Sequence, residues 1–97
     1  MPFGGFLNAI PPAVFLLIHI VLFVIGVVFA RRSFGAGQGR LGWGFTLFAV
    51  AEVSYMTYHL DWTVFLFAHT LAEVLDALAF IAIFTAVSQK MLAARRA

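Results

Sequence analysis

Positions 11–30 contain no Asp, Glu, Lys or Arg, and Arg31-Arg32 follow at once. A helix of about 20 residues rising about 1.5 Å per residue matches a hydrocarbon layer roughly 30 Å thick. The stretch therefore reads as a membrane-spanning helix, and the rest of the chain must be organised around it. Pro11 and Pro12 suit its beginning, where a missing N–H costs nothing, and the paired arginines place its far end at a membrane surface.

Two more apolar runs follow. The segment 31–40 holds three glycines and ends on Arg40, which suits a short connection between helices. Positions 41–60 form a second run, interrupted by Glu52 and closing on Tyr58 and His59. Positions 62–88 form a third, long enough to tilt or to project beyond the lipid, and a basic tail occupies 89–97. The expected fold is an all-α integral membrane protein of three transmembrane helices in one membrane-embedded domain.

Arg31, Arg32 and Arg40 share one loop, and Lys90, Arg95 and Arg96 share the tail, so three crossings put every basic residue on one side. The positive-inside rule makes that side cytoplasmic, with the N-terminus outside and the C-terminus inside. Met1 to Ile10 carry no Lys or Arg, unlike a cleaved leader, so the first span is expected to be retained. The expected location is the plasma (inner) membrane of a prokaryote.

Composition narrows the function. With 64% hydrophobic and 10% charged residues in 97, there is no room for a separate soluble domain. The absence of Cys removes disulfides, thiolate metal ligands and thiol catalysis. The formal charge of +2 is concentrated beside the apolar runs, which marks topology rather than a nucleic-acid surface. No Lys lies within a span to form a retinal Schiff base. No Walker loop, Gly-x-Ser-x-Gly elbow, His-Glu-x-x-His motif or Cys-His haem motif occurs, so soluble-type enzyme chemistry has no foothold.

What chemistry the chain offers lies in ionisable residues inside the spans, each costing on the order of 2.5–3.5 kcal/mol to insert. His19, Glu52 and His69 fall at similar expected depths in the three spans. On the third, His69, Glu73 and Asp76 gather within an arc of about 60° at 100° per residue. On the second, Glu52, Tyr55, Met56 and His59 share a face, and the two stripes are expected to meet. Small residues (Ala68, Ala72, Ala79, Ala82, Ala86 and Gly26) permit close helix approach, and Trp43, Trp62, Tyr55 and Tyr58 suit interfacial anchors.

Several readings of the stripe follow. Imidazole and carboxylate at i and i+4 suit a transition metal, with His19, Glu52, His69 and Glu73 as the first ligands and His59 and Asp76 as further ones. His19 and His69 could instead be axial ligands of a b-type haem, or the stripe the polar end of a quinone pocket. Glu52, Glu73 and Asp76 could relay protons or cations in an oligomer. The groups could also only neutralise one another and set helix register. The favoured expectation is a small non-enzymatic subunit of a larger membrane complex, respiratory or photosynthetic in type, whose stripe packs against its neighbours. A homo-oligomer holding metal or haem is the alternative.

Overall fold

Where each helix stops is decided by two turns of one type. The computed structural model describes residues 3–96, with side chains as far as residue 95. After a short 3-10 turn at Gly5–Ala9, helix α1 runs Pro12–Gly35 with proline in its first turn. It ends where Gly37 takes φ 76°: the Gly37 N–H bonds to the Phe34 carbonyl and the Gln38 N–H to the Ser33 carbonyl. That pair of bonds is a Schellman closure, which requires a left-handed residue just past the helix. Helix α2, Gly39–His59, ends in the same way on Asp61, at φ 62°, with the Asp61 N–H bonded to the Tyr58 carbonyl and Trp62 N–H to the Thr57 carbonyl.

Helix α3 then runs Phe65–Arg96. The connections are shorter than hydropathy implies. Arg31 and Arg32 lie in the last turns of α1, because arginine forms helix well and the chain breaks only at Gly37. The last helix begins three residues after position 62 and continues through the basic tail, whose Ala, Met, Leu, Lys and Arg are all strong helix formers.

α2 is the middle element. It packs along α1 on one flank and α3 on the other, while no Cα atoms of α1 and α3 come within 8 Å of each other. The contacts are made by small residues: Ala30, Ala49, Ala51, Ala68, Ala72 and Ala79 are the buried apolar side chains. At Gly44 a Cβ would stand 2.6 Å from Ile83 Cγ1 and 3.3 Å from the Ala79 carbonyl oxygen, so α2 and α3 touch there backbone to backbone. Ser54 ties the same interface by donating to the Ala68 carbonyl at 2.9 Å.

Large apolar side chains point the other way. No large side chain among the described residues is fully buried, whereas Leu66 is 74% exposed, Phe80 69% and Leu17 61%. This distribution is the reverse of a water-soluble core and suits helices that meet lipid. α1 and α3 are each long and apolar enough to cross a membrane. α2 does not meet that standard, since Thr, Ser, Tyr and Glu dilute its apolar residues, and it is the helix that the other two shield.

Candidate functional site

His19, Glu52, Tyr55, His59, His69 and Glu73, from all three helices, join in one chain of contacts with α2 at its centre. Glu52 lies seven residues before the end of α2 and His19 seven after the start of α1, about 10 Å along each antiparallel helix. They meet: His19 Nδ1 is 2.5 Å from Glu52 Oε2. Glu52 is buried and the His19 side chain is 17% exposed, so the imidazole is the polar partner that makes the carboxyl tolerable there. Gly26, two turns on from His19, and Ala49, one turn before Glu52, keep α1 and α2 close enough for this contact; a Cβ on Gly26 would lie 3.2 Å from that of Ala49.

Tyr55 carries the chain across to α3. Its ring stacks on His19 at 4.9 Å between centroids, it lies 6.3 Å from the His69 ring, and its hydroxyl donates to Glu73 Oε1 at 2.8 Å. Toward the end of α2, His59 stacks on His19 at 5.3 Å and on Phe15 at 5.4 Å. His69 stacks on Phe65 at 5.0 Å. Asp76 is half-buried, and its Oδ1 is enclosed without a hydrogen-bond partner.

The sequence-based groupings are thus partly rearranged. Glu52 faces α1 rather than the α3 stripe, because the α3 flank of α2 is taken by Gly44, against Ala79 and Ile83, and by Ser54, bonded to the Ala68 carbonyl. His69 sits only one turn into α3, since that helix starts at Phe65, and Glu73 takes the depth expected of His69. Tyr55, read as an interfacial anchor, is the link between His19 and Glu73. Only knowledge of its neighbours reveals this, although its place on one face with Glu52 and His59 was the available signal. Trp43 and Trp62 are 62% and 73% exposed, as anchors would be.

Chemically, the arrangement has two unlike halves. The α1–α2 half is closed: Glu52 is satisfied by His19, and His59 and Tyr55 cover that imidazole with aromatic faces. The α3 half is open, with His69 and Glu73 both exposed one turn apart on an apolar helix. Among the described residues no three His, Asp or Glu side chains stand together as a metal would need. A cofactor held by both His19 and His69 of one chain would require Tyr55, which reaches both rings, to move aside.

Comparison with protein-family models, with curated proteins and with solved structures finds no match.

Proposed function

We propose that the chain crosses a prokaryotic inner membrane three times, N-terminus outside and C-terminus in the cytoplasm, as a small non-enzymatic subunit of a larger membrane assembly of respiratory or photosynthetic type. The observation that carries this reading is the exposure of His69 and Glu73 on α3, among side chains suited to lipid. Turned to hydrocarbon, each ionisable group would cost on the order of 2.5–3.5 kcal/mol, a cost that a neighbouring subunit offering polar partners removes. The shielded position of α2 supports three crossings, since its less apolar surface meets helices instead of lipid.

Gentle extraction from the native membrane tests the idea. A photoreactive phenylalanine analogue at Phe80, on the same side of α3 as His69 and Glu73, is expected to crosslink to another subunit, and one at Leu78, half a turn away, is not. A well-folded monomer recovered without partners and without Phe80 crosslinks would end this reading.

A second reading has one observation in its favour. His69 and Glu73 are exposed at i and i+4, the spacing with which helical bundles present metal ligands, so two copies of the chain would bring four ligands together. It predicts about one metal ion per two chains, lost in His69→Ala. Metal-free protein with no haem absorption would remove it.

A further inference from the structure

The basic end of the molecule carries a second candidate site, distinct from the stripe. Gly37, Gln38, Gly39, Arg40, Ala86, Gln89 and Lys90, with Leu41, line a groove of about 440 Å³ between the start of α2 and the last turns of α3. Arg40 is fixed across it by donating from Nη1 to Gln89 Oε1 at 2.5 Å, which uses one of the five guanidinium N–H donors and leaves the others free. Lys90 is exposed on the opposite lip.

Among the described residues, no carboxylate is paired with either cation. The one ion pair among the described residues is His19–Glu52. Glu52 lies twelve residues from Arg40 along α2 and Asp76 fourteen from Lys90 along α3, about 18 and 21 Å, far beyond pairing distance. Two positive charges, one of them held in place, amide donors from Gln38 and Gln89 and a lining of Leu41 and Ala86 form a place for an anion with an apolar attachment.

We propose that this groove binds the phosphate of an anionic phospholipid headgroup. Arg40 and Lys90 hold the phosphate oxygens, the glutamine amides hold headgroup hydroxyls, and Leu41 and Ala86 meet the first methylenes of the acyl chains. The site recognises phosphate, and the apolar lining is what favours a lipid over a free ion.

Native mass spectrometry of the full chain in mild detergent, titrated separately with phosphatidylglycerol, phosphatidylcholine and inorganic phosphate, tests this. The first phosphatidylglycerol adduct should form at roughly tenfold lower concentration than the phosphatidylcholine adduct and weaken roughly tenfold or more in the Arg40→Gln, Lys90→Gln double variant. The Arg31→Gln, Arg32→Gln variant, with the same net charge, should keep it. Circular dichroism confirms that both variants are folded. Equal weakening in the two variants would overturn the proposal in favour of diffuse charge attraction, and absence of a headgroup preference would overturn it outright. Inorganic phosphate displacing the lipid at equal concentration would show that a free anion is the ligand and end the lipid assignment.

Discussion

Glu52 is buried beside one polar partner, and its dependence on that partner is large enough to measure. His19→Ala leaves the carboxyl enclosed with no imidazole, which should destabilise the protein by about 3 kcal/mol. Glu52→Gln retains a side chain able to bond with the ring and should cost clearly less. Unfolding in mixed detergent, followed by tryptophan fluorescence, compares them; equal losses would mean that the pair does not hold α1 to α2. Asp61 permits the opposite kind of test. A left-handed residue with a Cβ costs roughly 1–2 kcal/mol, somewhat less for Asp, so Asp61→Gly should raise stability by up to about 1 kcal/mol. The similar depth of His19 and Glu52 was legible by counting residues, but their pairing was not, because the stripe holding Glu52 was expected to face α3. The Tyr55 link was not, because counting along a helix does not tell which flank faces which neighbour.

At the scale of the helices, the α2–α3 contact depends on Gly44. Its absent side chain lets the backbones meet, and Gly44→Ala forces them apart against the Ala79 carbonyl and Ile83, with an expected loss of about 1–3 kcal/mol. Gly35→Ala meets nothing within 4 Å and should stay within about 0.5 kcal/mol of the parent in the same unfolding assay. The alanine stripe of α3 was visible in the sequence as a packing surface. Gly44 was not, since a glycine inside the second span does not show which neighbouring helix it meets. The two apolar helices are plain from hydropathy, whereas α1 runs on past the expected span to Gly35, because its Schellman closure falls where a left-handed residue is tolerated, and hydropathy does not register that.

For the molecule as a whole, the proposed topology makes a direct prediction that the lack of native cysteine simplifies. In intact cells, a membrane-impermeant maleimide should label Thr63→Cys, in the α2–α3 turn, and leave Gln38→Cys, in the α1–α2 turn, unlabelled until the membrane is opened. The reverse pattern would invert the orientation, and labelling of both in intact cells would exclude an α2 that crosses. If all three helices cross as proposed, the middle position of α2 also bears on how such a protein is made. A ribosome delivers α1 first, and that helix can leave the translocon for lipid unaided. α2 comes next with the least oily surface of the three, so its residence in the bilayer depends on α1 waiting beside the lateral gate and on α3 arriving to close the other flank. In that topology, membrane integration is a property of the helices as a set, acquired only when the last of them has been synthesised.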